Sequence, residues 1–388
     1  MNAVMRVKML DLTEQFEALK GSITAKLEEV MSGGTFILGP NVKQLEKDVA
    51  AFSSQKHGIG VGNGSDAIHI ALQAAGVKEG DEVITTAFTF FATAGSIARI
   101  GAKPVFVDID PVTFNIDPVK VEEAITPKTK AVIPVHLYGQ MADMEALARI
   151  ADKHGLYVIE DAAQAIGATH NGYSVGALGS AATFSFFPTK NLGAYGDAGM
   201  IVTDSDDIAE KSRIIRVHGS KPKYYHQLLG CNSRLDEMQA AILNVKLPHL
   251  QEWSDKRRKN AALYTKLIGE QAGDHVEVPT EKEGNFHVFH QYTLRVEKRD
   301  ELQAFLKENG IDSMVYYPVP LHLQPVFKDL GYREGDFPEA EKAARQALSL
   351  PMYPELQPEQ QEYVVSKVAE FFKQEAEKSG AGTAAARI

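Results

Sequence analysis

The chain has 388 residues, of which 44% are apolar and 24% charged, and its net charge is −10. This length suits a large domain plus a smaller one, and the acidic balance argues against nucleic acid as the main partner. A single cysteine, Cys231, excludes an internal disulfide and a cysteine-based zinc site, and we predict no metal. No apolar run approaches the ~18 residues of a membrane span. The N-terminal residues lack a signal-peptide core, so we expect a cytoplasmic protein that has no membrane partner.

The first third of the chain predicts two helices and then a glycine-rich turn. Apolar residues recur at helical spacing over 12–31, and a second helix follows Pro40. Residues 59–76 predict a strand, a turn and a helix that starts near Gly64 and Ser65. Free N–H groups at a helix start favour a phosphate. A plain helix cap is the alternative, because the dinucleotide fingerprint GxGxxG is absent.

Residues 81–107 predict a strand, an aromatic cluster, a helix and another strand. The cluster contains Phe88, Phe90 and Phe91, directly after the first of these strands. An aromatic side chain in that place could stack on a flat cofactor ring. Packing in the core is an equally good interpretation of each of the three.

Two functional side chains follow apolar runs in the middle of the chain. Residues 131–160 give a strand, a helix ended by Gly155, and a second strand, which predicts a parallel sheet. Asp161 ends that second strand, and Lys190 follows the next apolar run, 182–187. Ligands bind at the carboxyl edge of such a sheet. An acid and a lysine there are typical of pyridoxal phosphate chemistry, in which Lys forms a Schiff base and Asp partners the ring nitrogen. For either residue alone, a salt-bridged surface lysine or a buried structural aspartate is the alternative.

The segment 213–232 is basic and aromatic within an acidic protein. It suits an anionic substrate such as a nucleotide diphosphate, and a solvated loop is the alternative. Ser233 and Asp236 then resemble a capping box before a long helix that reaches Trp253, with a kink or a split at Pro248.

The pattern changes after residue 253. We predict a large α/β domain over 1–253, with a mostly parallel central sheet flanked by helices, and a smaller α+β domain over 254–378. In the smaller domain we expect strands at 290–296 and 314–317 and helices at 300–309, 339–347 and 358–373. Residues 379–388 bury too little to be held and predict a flexible tail.

Several long motifs resemble the DegT-type sugar aminotransferases, which are fold-type-I pyridoxal phosphate enzymes. The resemblance covers residues 7–375. Its motifs are GNGSDAIHIAL, TTAFTFFATA, GAKPVFVDID, PVHLYGQMADM, VIEDAAQAIGA, FSFFPTKNLGAYGDAGM and GCNSRLDEMQAAIL.

The resemblance implies a role for each residue around the cofactor ring. Lys190 matches the Schiff-base lysine, and Asp161 matches the acid on the pyridine nitrogen. Gln164 lies near the ring hydroxyl, and Phe90 stacks on the ring. Relatives that dehydrate sugars have histidine at the lysine position, so Lys190 favours amino transfer.

The resemblance also implies a phosphate site that two subunits share. Gly64, Ser65, the backbone around Asp66, and Ser185 match the phosphate cradle. Asn232 matches the ligand that the second subunit donates. A homodimer with shared active sites follows.

The expected reaction moves an amino group from glutamate to a nucleotide-linked keto sugar, with the cofactor alternating between pyridoxal and pyridoxamine phosphate. The tract 216–243 is more similar to enzymes that act at C-3 of the sugar than at C-4. Candidate substrate contacts are His218, Tyr224, His226, Tyr317 and His322. The alternatives are a C-4 enzyme of the same family, a regulatory or binding relative, and an NAD-dependent sugar enzyme, which the missing fingerprint disfavours.

Overall fold

A computed structural model describes residues 5–273 and 275–385, with side chains up to residue 378. The helices in this part of the chain are α1 Thr13–Gly33, α2 Pro40–Phe52, α3 Gly64–Ala74, α4 Ala92–Arg99, α5 Pro118–Glu123, α6 Met144–His154, α7 Asp206–Ile215, α8 Glu237–Lys246, α9 Leu250–Gln271, α10 Arg299–Glu308, α11 Pro338–Gln346 and α12 Pro358–Ala385. The strands are β1 His57–Val61, β2 Glu82–Thr86, β3 Lys103–Val107, β4 Thr129–Ile133, β5 Tyr157–Asp161, β6 Thr169–His170, β7 Tyr173–Ser174, β8 Ala181–Ser185, β9 Gly199–Thr203, β10 Asn285–Phe286, β11 Tyr292–Arg295 and β12 Ala347–Leu350.

The central sheet is mostly parallel, which confirms the predicted fold class. Its strand order is β1-β9-β8-β5-β4-β2-β3. Strands β3, β2, β4, β5 and β8 pair in parallel, whereas β9 runs antiparallel to both of its neighbours. The carboxyl ends of β5 and β8 therefore lie side by side at one edge of the sheet.

The unit β4–α6–β5 shows why the sequence places Asp161 at that edge. The Asp143 side chain accepts a hydrogen bond from the Ala146 N–H and so caps the start of α6. Gly155 ends the helix in the left-handed region, with φ 66°. Strand β5 then runs parallel to β4, as a right-handed crossover allows.

Helices cover both faces of the sheet. Successive strand residues point to opposite faces, and so Val158 packs in one hydrophobic cluster and Ile159 in another. The first cluster includes residues of α2, α6 and α8, and the second includes residues of α3, α4 and α7.

The C-terminal part has its own hydrophobic cluster. It forms between the two-stranded antiparallel sheet β11–β12 and the helices α9, α10 and α12. Helix α9 contributes Leu250 to the cluster of the large sheet and Tyr264 and Ile268 to this one. The boundary that we predict at 253/254 falls within this helix, and the division into two domains stays a prediction.

The structure corrects two local predictions. Ser233 does not cap a helix, because α8 begins at Glu237 and the Ser233 hydroxyl instead accepts a hydrogen bond from the Gly62 N–H at 3.0 Å. Residues 314–317 form no strand; only Met314 pairs, in an isolated bridge with Ser349.

Two other predictions concern the ends of long helices. The split predicted at Pro248 is confirmed, since the 3₁₀ turn Leu247–His249 separates α8 from α9. Residues 379–385 of the tail predicted for 379–388 continue helix α12, and 386–388 lie outside the described residues, so the flexibility of the tail stays a prediction. No helix in the described part of the chain is long and apolar enough to cross a membrane.

Candidate active site

Asp161 is the last residue of β5, and its carboxylate is fixed from two sides. The Thr93 hydroxyl donates a hydrogen bond to Oδ2 at 2.7 Å, and the Ala163 N–H donates to Oδ1 at 3.2 Å. Thr93 lies on α4, so a helix from another βα unit sets the orientation of this acid. The side chain is almost completely buried yet lines the cleft described below.

Lys190 follows β8 in a tight turn closed by a hydrogen bond from its N–H to the Phe187 carbonyl, at 2.8 Å. Because β8 pairs in parallel with β5, this turn lies at the same edge as Asp161. Burial lowers the pKa of the Lys190 amine to about 8, and the negative charge of Asp161 partly opposes this shift. A minor fraction of the amine, much larger than for an ordinary lysine, is therefore neutral near physiological pH.

The start of α3 forms a third side of the cleft. The Asn63 side chain accepts a hydrogen bond from the Asp66 N–H, so the N–H groups of Gly64 and Ser65 keep no acceptor within the helix. A Cβ atom on Gly64 would come within 2.7 Å of the Ser185 Cβ. Through this close approach, the backbone donors at the start of α3 and the hydroxyl-bearing residues Ser65 and Ser185 line the same cleft, which suits a phosphate.

The ring of Phe90 and the amide of Gln164 complete the polar and aromatic lining. The Phe90 side chain is 57% exposed, and its ring lies 6.0 Å from that of Tyr317. The Gln164 amide oxygen accepts a hydrogen bond from the Tyr138 N–H at 2.7 Å, and its amide nitrogen donates to the Tyr317 hydroxyl at 3.1 Å. Burial raises the pKa of Tyr317, which keeps this hydroxyl protonated.

These groups surround one cleft of about 500 Å³, large enough for a cofactor ring. Of the predicted cofactor residues, the cleft lining includes Gly64, Ser65, Phe90, Asp161, Gln164, Ser185 and Lys190. Asp66 lies just outside, where its carboxylate pairs with Arg99 at 3.0 Å.

Of the remaining predicted site residues, Tyr317 also lines this cleft, and the others lie outside it. The segment 217–232, which we call the arm, contains His218, Tyr224, His226 and Asn232; all four are exposed, and none lines the cleft of their own chain. His322 is buried and pairs with Glu341 at 3.1 Å, away from the cleft lining. Its contact with substrate stays a prediction that the structure of this chain does not favour.

The cleft also contains residues that the sequence did not reveal. They are His290 and Gln291, which reach the lining only through tertiary packing. Thr93 was also not predicted; it lies outside the lining and acts on the site through its hydrogen bond to Asp161. The cap residue Asn63 could have been found, because asparagine directly before a helical pattern is a common N-cap.

The donor set fits pyridoxal phosphate. A lysine with a lowered pKa, a carboxylate across the same cleft, and free N–H groups at the start of α3 match its aldehyde, ring nitrogen and phosphate. Among the described residues, no group of three or more His, Cys, Asp or Glu side chains could hold a metal ion.

The profile of the DegT/DnrJ/EryC1/StrS aminotransferase family matches residues 17–369, and the chain belongs to this family. The fold and the site thus define a pyridoxal-phosphate-dependent aminotransferase. Enzymes of this family use that cofactor, and a structure related to this chain, ntda from Bacillus subtilis with bound cofactor pmp, matches with 35% identity and a TM-score of 0.88 over 94% of this chain and 85% of that one.

Three further proteins show how similar this chain is to characterised relatives. A pleiotropic regulatory protein of Geobacillus stearothermophilus is 73% identical over 95% of this chain and 99% of its own length. A UDP-N-acetyl-3-dehydro-alpha-D-glucosamine 3-aminotransferase of Acidithiobacillus ferrooxidans is 46% identical over 91% and 95%. The crystal structure of S. venezuelae DesV in complex with a ketimine intermediate matches with 43% identity and a TM-score of 0.92 over 94% and 98%.

Proposed function

We propose that this protein transfers an amino group from glutamate to C-3 of a nucleotide-linked keto sugar. The observation that carries the proposal is the placement of Lys190 and Asp161 in one cleft, at the ends of neighbouring parallel strands. The reaction has two halves: the donor leaves its amino group on the enzyme, and the sugar then takes it up. The product is an amino sugar for glycan or natural-product synthesis.

Lys190 is the group that moves protons. Bound pyridoxal phosphate supplies an electron sink for the charge that develops on the reacting carbon. With its pKa lowered to about 8, the Lys190 amine can take a proton from the α carbon of the amino donor. In the second half, the same Nζ delivers a proton to the sugar carbon that receives the amine. Proton transfer of this kind contributes about 10²–10⁴-fold to the rate.

The remaining cleft residues hold the reacting groups in place. Asp161, oriented by Thr93, presents a carboxylate that favours a protonated ring nitrogen. Gln164 is itself fixed by the Tyr138 N–H, so its position does not depend on a ligand. Phe90 offers an exposed ring face, which excludes water from one side of a bound aromatic ring.

The choice of C-3 rests on relatives whose names specify amination at that carbon. They include the Acidithiobacillus enzyme above and the dTDP-3-amino-3,4,6-trideoxy-alpha-D-glucose transaminase of Streptomyces venezuelae, which is 43% identical. A C-4 enzyme of the same family is the alternative. Pyridoxamine-form protein mixed with 3-keto and 4-keto nucleotide sugars separates the two, since only the true acceptor restores the visible band of the pyridoxal form.

We further propose a homodimer in which each arm completes the site of the partner subunit. The arm supports this assignment because Tyr224 is 78% exposed and Leu229 is 90% exposed. Exposed apolar side chains that lie close together are typical of a protein–protein interface. Asn232, at the base of the arm, is exposed and does not line the cleft of its own chain.

The first test is the visible absorbance of the cofactor linked to Lys190. Purified protein should be yellow, and added glutamate should bleach the band. Lys190→Ala should lose both the band and all turnover, because no other amine replaces Nζ in the cleft lining. A Lys266→Gln variant, whose exposed side chain lies on α9 outside the cleft, serves as the control.

Mixing two inactive variants tests the shared site. If Lys190→Ala and Asn232→Ala subunits exchange at random, half of the dimers are mixed and one of their two sites is intact, which predicts about a quarter of wild-type activity. Recovery shows that Lys190 and Asn232 act from different subunits. No recovery, with exchange verified by mass spectrometry, refutes the shared site.

A regulatory role is the second candidate, because the relative with 73% identity is named a pleiotropic regulatory protein. The intact Lys190 and Asp161 pair favours catalysis. A purified protein that binds the cofactor but keeps its colour in the presence of glutamate and other amino acids would favour the regulatory role.

A further inference from the structure

A second cavity of about 310 Å³ lies beside the active-site cleft. The two share the wall formed by Thr189, His290, Gln291 and Tyr316. The rest of the second cavity is lined by Arg6, Lys8, Met9, Leu10, Arg257, Asp312 and Met352. Because Thr189 directly precedes Lys190, this cavity adjoins the turn that carries the reactive amine.

Arg257 is a buried cation that no described carboxylate contacts directly, and the negative charge of Glu355 acts on it only at longer range. Its side chain belongs to a residue that is only 4% exposed, on α9. Nη1 donates to the carbonyl oxygens of Phe289, His290 and Met352, at 3.2, 3.4 and 3.0 Å. Nε is buried and has no hydrogen-bond acceptor in the described part of the chain. No described carboxylate oxygen lies within 4.0 Å of this guanidinium, although Arg elsewhere in the fold finds such partners.

The charges around the cavity favour an anion. Arg6, Lys8 and Arg257 face a single lining carboxylate, that of Asp312. Lys8 also pairs with Asp11 at 2.7 Å, which leaves its ammonium partly neutralised. Burial, together with Lys190 and Arg257, lowers the pKa of His290 well below its usual value, so this imidazole is neutral and adds no charge.

We propose that this second cavity binds the side-chain carboxylate of a dicarboxylic amino donor, with Arg257 at its base and Arg6 at its mouth. The proposal rests on the function proposed above and deepens it by assigning donor specificity. A donor whose amino group reaches Lys190 would extend its far end past Thr189 into the cavity. Glutamate has a carboxylate there, and alanine does not.

The shared wall offers a further contact for such a donor. The amide oxygen of Gln291 is buried without a hydrogen-bond donor among the described residues. Gln291 lines both cavities, so this oxygen can accept a hydrogen bond from the donor's ammonium group before transfer. Guanidinium groups bind carboxylates through a planar fork of N–H donors, which suits Arg257 better than a lysine would suit the same place.

Binding of glutarate, a dicarboxylate that has no amino group, tests the cavity independently of catalysis. Calorimetry on the cofactor-loaded protein should show that Arg6→Gln weakens glutarate binding about tenfold, the usual size for a hydrogen bond to a charged group. Lys266→Gln, which removes an exposed charge on the same helix as Arg257, should bind glutarate like the wild type.

The first half-reaction tests specificity. The ratio of apparent affinities for glutamate and alanine, read from bleaching of the cofactor band, should fall about tenfold in Arg6→Gln and at least as far in Arg257→Lys. Arg6 is exposed, so its variant carries the test should Arg257→Lys fail to fold.

Three outcomes would overturn the assignment. The first is that glutarate does not bind to the wild type. The second is that Arg6→Gln lowers the apparent affinities for glutamate and alanine equally. The third is that Arg6→Gln weakens the binding of UDP instead of glutarate, which would assign the cavity to the phosphates of the sugar substrate. If glutarate binds as expected but no amino acid bleaches the band, the cavity assignment stands and the proposed transamination fails.

Discussion

The Lys190 amine shows how burial and a single carboxylate oppose one another. Burial favours the neutral amine and lowers its pKa to about 8, while the Asp161 charge favours the ammonium form. Proton abstraction needs the neutral form. The rate of a step that uses Lys190 as a base should therefore rise as the pH passes through about 8.

Asp161→Asn should lower the pKa of Lys190 further, since it removes the one charge that stabilises the ammonium form. The measurement is the pH dependence of Lys190 modification by an amine-reactive reagent in cofactor-free protein, followed by peptide mass spectrometry. The midpoint should move below about 8. Lys266 in the same digest gives the reference for reagent reactivity. A midpoint that stays in place or rises would show that Asp161 and Lys190 do not interact.

The same shift has a consequence for stability. Unfolded Lys190 takes up its proton near pH 10.5 and folded Lys190 near 8, so between these values the unfolded chain binds more protons. The contribution of this lysine to the free energy of unfolding therefore rises with pH across that window, and below pH 8 the buried charge disfavours folding. Cofactor-free Lys190→Ala should show a smaller rise than the wild type in thermal unfolding experiments at pH 7 to 10, because the remaining rise comes from groups such as Lys246, whose pKa burial also lowers to about 8.

At the scale of elements, the start of α3 depends on its close approach to β8. A methyl group on Gly64 would meet the Ser185 Cβ at 2.7 Å and Cα at 3.2 Å. Gly64→Ala should therefore push the helix start away and weaken cofactor binding about tenfold, as expected for the loss of one charge-assisted hydrogen bond. Equilibrium dialysis against pyridoxal phosphate measures this.

Gly21 supplies the matched control for that substitution. It lies inside α1, and a Cβ atom there would meet nothing within 4 Å. Gly21→Ala should leave cofactor affinity unchanged and raise the free energy of unfolding by about 0.5–1 kcal/mol. Equal cofactor affinity in the two variants would mean that α3 does not form the phosphate site.

Elements were predicted best where the local pattern and the tertiary structure agree. The β4–α6–β5 unit has apolar runs, a cap and a terminal glycine that all indicate the same structure. The role expected for Ser233 was wrong because its hydroxyl bonds to Gly62, a partner 171 residues away that no local pattern reveals. Thr93 was missed for the same reason, since its contact with Asp161 joins two βα units.

At the scale of the whole molecule, the arm should govern assembly. Leu229→Asp places a charge on its most exposed apolar side chain and should shift the proposed dimer toward monomers, with loss of activity on dilution. Sedimentation equilibrium measures the assembly. Val119→Asp changes an apolar side chain on α5 that is 62% exposed, and it should leave the dimer intact. A stable, fully active dimer of Leu229→Asp would place the subunit interface elsewhere.

The roles that the sequence suggested for the basic arm stay predictions, because its histidines and tyrosines do not line the cleft of their own chain. Lys190 and Asp161 could be paired because parallel strands bring their carboxyl ends together. The arm has no such regular neighbour, and its contact with a ligand rests on the proposed dimer.

Helix α9 is a continuous rod of 22 residues that is anchored in two separate hydrophobic clusters. A fragment of the protein that ends at residue 253 would contain only the first four residues of α9 and would lack Tyr264 and Ile268, which pack in the second cluster. Neither half should then be recoverable as an independently folding fragment, and calorimetry of the intact protein should give a single heat-absorption peak. Arg257 also lies on this helix and lines the second cavity. A movement of one hydrophobic cluster relative to the other would therefore move Arg257 and change the shape of that cavity.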